Sequence, residues 1–258
     1  MKELKPQETS ISTTKEPQLP VTWEDQMTAY AQAALEQEES VAAGAFISFS
    51  AGQISYAGNP VAGNKLHVVV VDSVIENCYY PEQYDRDSPV SPSCYAFGND
   101  AKKMAPHPDA PQPQAQSCAE CEWNKFGSDV NGKGKACKNI RRLALLPAEP
   151  VSPETLAKAD FAIAKLPVMS VKNWAQYVRL VSTLRKRPPM GVVTTISTIP
   201  DAKSQFRVTL EHKSDLTQDL IGAVLSRRNE AKDLLVRPYP DNKEKPDKTP
   251  EPTKKRKY

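Results

Sequence analysis

Lys65-Leu-His-Val-Val-Val-Val-Asp-Ser-Val-Ile75 is the strongest strand signal in the chain. Branching at Cβ stiffens valine and isoleucine and fits them to a pleated surface. Four valines in succession, Val68 to Val71, leave no polar side, so the spacing predicts a strand buried on both faces, central to a sheet or barrel. Upstream, Gly44-Ala-Phe-Ile-Ser-Phe-Ser50 and Gln53-Ile-Ser-Tyr-Ala57 read as two strands joined by a tight hairpin at Ala51-Gly52. Gly58-Asn-Pro and Gly63-Asn64 supply turns. Downstream, Ile140 to Leu146 and Phe161 to Leu166 read as strands. Val192 to Ile199 and Gln205 to Leu210 form a further hairpin across Pro200-Asp201.

Helical spacing is confined to the connections and the ends. Thr22-Trp-Glu-Asp25 is a capping signal for a helix to about Glu39, with Trp23, Met27, Tyr30, Ala31, Ala34 and Leu35 near one stripe. That stripe serves to pack on the domain or, as the alternative, to bind a partner. Ser152-Pro-Glu-Thr starts a short helical turn. Ser170 to Leu184 places Val171, Trp174, Val178 and Val181 on one face and stops at Pro188-Pro189. Leu216 to about Leu235 reads as one last helix. Helices do not alternate with strands, which excludes a parallel α/β sheet. The expected class is mainly β with α (α+β): an OB-like Greek-key barrel with flanking helices and a long loop insertion at one rim.

Composition sets the outer limits. Hydrophobic residues make up 39% of the 258, and 23 prolines stand against 10 glycines, the balance of one compact domain with polar ends. Residues 1–40 carry three bases and eight acids, and residues 238–258 seven bases and four acids. The predicted organisation is a disordered acidic N-terminus at 1–20, an OB-like domain at 21–237 with a loop insertion at 78–138, and a disordered basic tail at 238–258. No apolar run reaches the length of a membrane-spanning helix, and the first residues lack a secretory core, so a cytoplasmic setting is expected, with no membrane partner. Walker, dinucleotide and Gly-x-Ser-x-Gly motifs are missing and His67, His107 and His212 are far apart, so no catalytic residue is assigned.

The insertion holds four of the five cysteines. Cys94, Cys118, Cys121 and Cys137 follow the pattern C-x23-C-x2-C-x15-C. A Cys-x-x-Cys turn offers two thiolates from one knuckle, and in a reducing compartment it points to metal or redox chemistry rather than to a disulfide. These four are the candidate ligands of a structural zinc ion, which would hold a loop that has no core of its own. Cys78 and His107 rival Cys94 for the fourth place; free thiols or a redox pair are the alternatives to zinc. Four thiolates would close the site, leaving the metal no catalytic position.

Bases and rings surround the knuckle. Six bases, Lys125, Lys133, Lys135, Lys138, Arg141 and Arg142, stand against one acid, Asp129. Trp123, Phe126, Tyr79 and Tyr80 are interleaved with them. Cations that follow phosphates beside rings that stack on bases suit single-stranded nucleic acid. The alternatives are a solvated face for the bases and a small loop core for the rings.

Asn77-Cys-Tyr-Tyr-Pro-Glu, Ser91-Pro-Ser-Cys-Tyr-Ala-Phe, Pro106-His, Cys118-x-x-Cys121-x-x-Asn124-x-Phe-Gly-Ser128 and Gly132-Lys-Gly-Lys-Ala-Cys137-Lys-Asn-Ile-Arg-Arg together resemble bacteriophage proteins, and more loosely the zinc-containing single-stranded DNA-binding proteins of phage replication and recombination. The resemblance covers residues 77–142. It implies a zinc-stabilised, non-catalytic binder of single-stranded DNA in the host-cell cytoplasm, with replication or recombination proteins as further partners. One departure is the basic C-terminal end, where bacterial-type single-strand binders carry an acidic tail. A zinc-stabilised structural or adaptor protein that binds other proteins is the second expectation, and a DNA enzyme with scattered acids the third.

Overall fold

The computed structural model describes residues 22–23, 26–31, 45–81 and 90–240. The chain divides into two units, Met1–Ala43 and Gly44–Tyr258. In the first, residues 26–31 are helical, and Trp23, Met27 and Tyr30 are exposed. The acidic terminus at 1–20, the rest of the expected helix to Glu39, and 241–258 of the expected tail lie outside the described residues.

Among the described residues of the second unit, nine strands form one mixed, curled sheet, a half-barrel. The expected class, mainly β with helices, is what is observed. The strands are β1 (Ala45–Ser50), β2 (Gln53–Tyr56), β3 (Asn59–Pro60), β4 (Lys65–Tyr79), β5 (Cys94–Gly98), β6 (Lys138–Pro147), β7 (Ala162–Leu166), β8 (Val192–Asp201) and β9 (Gln205–Asp215). Their order is β3-β2-β1-β7-β6-β4-β8-β9, with β5 also on β4. β1 and β7 run parallel; the other pairs are antiparallel.

β4 is the spine. One edge pairs with β6 from Val68 to Cys78; the other pairs with β8 over Lys65–Val68 and with β5 over Ile75–Tyr79. The valine run is buried on both sides, as its spacing predicts. Val68 and Val70 meet Leu143, Leu145, Ala164 and the helix α2 (Val171–Leu184) through Trp174, Tyr177 and Val181. Val69 and Val71 meet Ala144, Leu146 and Ile163 on the other face. That face is closed by α1 (Pro153–Lys158), α3 (Gln218–Ser226) and α4 (Arg228–Leu235) through Leu156, Val224, Ala231 and Leu235. A bulge between Val70 and Asp72 resets the alternation, so Ser73, Ile75 and Asn77 continue on the α2 face. Ser152 caps α1, its side chain accepting from the Thr155 amide at 3.0 Å.

Three expectations change. The insertion is not structureless from Cys78: Cys94-Tyr-Ala-Phe-Gly98 is a strand on β4. Its five residues sit between proline-rich segments, too short for a periodic signal. The last helix is two, broken at Arg227, whose φ of −97° and ψ of 1° leave the helical range. The Arg227 guanidinium there reaches back to the carbonyls of Leu156 and Ala159, tying the break to α1. Finally, Tyr239, at the start of the expected tail, packs into the body beside Tyr95, ring centroids 5.0 Å apart. No helix among the described residues is long and apolar enough to cross a membrane.

At the far end of β4 a charge cluster is sealed into the α4 face. Glu76 is 0% and Arg142 5% exposed. Arg142 Nε and Nη2 donate to the two Glu76 oxygens at 2.9 and 3.0 Å, and Nη1 donates to the carbonyls of Leu235 and Arg237. The Tyr239 hydroxyl donates to Glu76, and Lys165 Nζ donates to that hydroxyl at 2.6 Å. Burial alone would raise the Glu76 pKa; the Arg142 bonds and the charges of Arg142 and Lys165 outweigh it and hold the carboxyl below its ordinary value of 4.5. Glu76→Gln, which leaves Arg142 charged and buried, is expected to cost about 3–5 kcal/mol in urea unfolding. Because the folded-state pKa is depressed, this stabilisation is full above the ordinary carboxylate value and is lost as pH falls through the folded one. Acidification from neutral pH to below 4.5 should therefore destabilise the wild type more than the variant.

Candidate functional site

Strand alternation sorts the residues at the end of β4 onto two faces. Glu76 and Cys78 point with Tyr95 and Phe97 toward the charge cluster. Asn77 and Tyr79 share the opposite face with Cys94 and Ala96 of β5 and with Asn139 of β6, to which they are registered. The segment between β5 and β6 folds over this second face. Its bonds are mostly to backbone: Cys118 N–H to Met104 O at 2.9 Å, Asn124 N–H to Cys121 O at 3.0 Å, and Cys137 N–H to Trp123 O at 2.8 Å. Gly127 (φ 90°) and Gly132 (φ 65°) take left-handed conformations that close a turn, with Gly127 N–H on Gly134 O at 2.8 Å.

This folding brings Cys94, Cys118, Cys121 and Cys137 to one cavity of about 20 Å³, room for a single water-sized sphere. All four are buried and none forms a disulfide. The rivals stand elsewhere. Cys78 is on the far face, its thiol 3.7 Å from Lys138 O, and His107 stacks on Tyr95 with centroids 5.2 Å apart. Burial pushes the Cys137 thiol up to about 12, with the neighbouring Cys118, Cys121 and Cys94 adding to the rise. Burial also raises Cys94 and Cys118, each again with a neighbouring cysteine contributing. The four are thus the soft donor set available to a metal. As the side chains stand, no group of three or more His, Cys, Asp or Glu among the described residues is set to hold an ion.

An amide network stiffens the knuckle. Asn124 Nδ2 donates to Cys118 O at 2.7 Å. Its Oδ1 accepts from Asn139 Nδ2 at 3.0 Å and from Lys135 Nζ at 3.2 Å. Asn139 Nδ2 also donates to Asn77 at 2.7 Å. Sequence reasoning missed these asparagines as site residues, because their meeting depends on the register of Asn77 with Asn139, which only the paired strands show.

The rim residues divide by exposure. Trp123, 39% exposed, stacks on Tyr79 with centroids 5.1 Å apart. Phe126 is 82% exposed, with Lys135 Nζ 5.3 Å from its ring centre. Lys125 pairs with Glu122 at 2.5 Å; Lys138 donates to Lys135 O at 2.8 Å; Lys133 is exposed. Tyr80 packs with Cys78, Tyr95 and Ala110 on the far face, away from Tyr79. Arg142 is the correction: its donors are committed to Glu76 and two carbonyls inside the protein, so it is not part of an open basic surface. The dense sequence run hides a face change, Arg141 to the thiol side and Arg142 to the other.

Searches against protein-family models, curated proteins and solved structures find no match to this chain. Asn124→Ala removes an amide that serves three partners and is expected to lower stability by about 1–3 kcal/mol, measured by denaturant midpoint. Asn139→Ala in the same background should then cost little more, because the two share one network.

Proposed function

We propose that the protein is a non-catalytic single-stranded DNA-binding protein of phage replication or recombination, with a structural Zn²⁺ held by Cys94, Cys118, Cys121 and Cys137. The observation that carries the reading is the pairing of a four-thiol cavity with a rim of open rings and bases. Thiolates in this number suit zinc and leave it no open position. Bound there, the metal supplies a cross-link between β5, the knuckle and the start of β6. The protein's own groups do the binding: Phe126 and the Trp123–Tyr79 stack offer ring faces to bases, and Lys133, Lys135 and Lys138 offer charge to phosphates. The curl of the sheet supports an OB-type reading of the body, with this rim as the binding edge. The resemblance over residues 77–142 supports the phage role.

A second reading has its own support. Val130, 89% exposed, lies in the same turn region as Phe126, and an apolar tip of this kind suits an adaptor that binds protein.

Titration with labelled oligothymidine at two salt concentrations, before and after chelation, separates the two. Binding that weakens steeply with salt is expected for the first reading; no binding at low salt sinks it. Phe126→Ala should weaken binding by about 1–3 kcal/mol and leave the unfolding midpoint unchanged, since the ring is exposed. Metal analysis of freshly purified protein should give one zinc per chain, lost in Cys121→Ser.

A further inference from the structure

The two edges of β4 are not treated alike. On the β6 side pairing is continuous apart from the bulge. On the other side β8 leaves after Val68 and β5 joins only at Ile75, and between them no strand among the described residues takes the edge. At this gap lies a cleft of about 300 Å³. Trp174 of α2, the turn at Pro188–Met190, Asp72, Ser73 and Arg228 are among the residues that line it.

Arg141 lines this cleft. It comes from β6, on the same face as Leu143 and as Asn139 of the thiol site. Its Nε is buried and has no hydrogen-bond partner. Burial lowers its pKa, and no carboxylate acts in the other direction. The contrast with its neighbour is instructive: Arg142 is more buried and fully partnered. A guanidinium N–H withdrawn from water without an acceptor is a costly arrangement that calls for an explanation, such as a ligand that supplies the acceptor.

Asp72 does not fill that role. Its Oδ1 accepts the Ser73 amide at 2.8 Å, and its Oδ2 lies 3.5 Å from Arg228 Nε. Arg228 pairs with Asp72, and Arg141 Nε is left without an acceptor. The chemistry that fits a planar fork of N–H donors is an oxyanion able to accept two of them. Apolar surface from Trp174, Pro188 and Pro189 beside it suits a sugar or base attached to that anion.

We infer that the gap in the β4 edge is a phosphate-binding subsite with Arg141 as its anchor, taking a backbone phosphate of the single strand that also lies on the Phe126 and Trp123 rim. The strand assignment rests on the DNA-binding reading above; the oxyanion site stands on the cleft itself. Asn139, which holds Lys135, is two residues from Arg141 along β6, about 7 Å, and the two side chains share one face of the strand.

Two measurements test this with the full chain. In ¹⁵N-labelled wild-type protein, inorganic phosphate is expected to shift the Arg141 Nε–Hε resonance, and chloride at equal ionic strength is not. In oligothymidine titrations, Arg141→Met is expected to reduce affinity roughly tenfold or more and to lower the slope of log affinity against log salt by about 0.7; Arg141→Lys should recover part of the slope. A resonance indifferent to phosphate overturns the inference, and so do unchanged affinity and slope in a folded Arg141→Met. The resonance arm needs no variant, so a Met variant that fails to fold leaves it decisive. If phosphate shifts Arg141 while the wild type binds no oligothymidine, the oxyanion site stands and the DNA-binding reading falls.

Discussion

Burial of one strand on both faces organises this protein. Val68 to Val71 expose no polar side, so β4 needs cover above and below as well as partners on both edges. α2 covers one face and α1, α3 and α4 the other. At 15 residues, β4 is too long for any one partner on its second edge. β8 serves one end and β5 the other. The bulge at Val71 follows from the same demand: without it the alternation would carry Glu76 to the α2 face and Asn77 away from the thiols.

Two polar centres lie back to back across the end of β4. Glu76 and Cys78 face the cluster of Arg142, Lys165 and Tyr239; Asn77 and Tyr79 face the thiol cavity. The first centre ties the end of α4 and the residues just after it to the sheet through the carbonyls of Leu235 and Arg237. The second holds the segment between β5 and β6. Neither is a hydrophobic core. The apolar cluster under the insertion consists of Ala96, Met104 and Cys118 with Ile75 beside it, too little to fix a long connection by burial. Backbone bonds and asparagine amides position the thiols, and a cross-link among the thiols would complete what burial leaves undone.

Strands were legible where β-branched runs were long, and helices where a cap or an amphipathic period marked them. β4, the 51–52 hairpin, α1 at Ser152 and α2 were open to that reading. The four cysteines were legible as a group because a knuckle spacing is local chemistry. β5 was not, since its pairing depends on β4 and its length gives no period. The break at Arg227 was hidden because its reason is tertiary, the bonds to Leu156 and Ala159. Arg141 and Arg142 were read as one basic patch. Only their alternation on a paired strand, with Glu76 waiting on one side, separates them.

On the proposed reading, that separation decides how the molecule would meet a polyanion. Adjacent residues on a strand face opposite ways: Arg142 neutralises a buried carboxylate and holds the end of α4, and Arg141 lines the cleft with its Nε unpartnered. Part of the positive charge on the thiol face therefore comes from groups fixed by a neighbour: Lys135 by Asn124 and Asn139, and Arg141 by partial burial on β6. Fixed cations lose less freedom on binding than solvated ones, so a small number of them can define a track where a larger, mobile set would give only loose attraction. On the proposed reading, a metal cross-link among the thiols would act in the same way, holding the donors of β6 and the rings of the knuckle in register before a strand is bound.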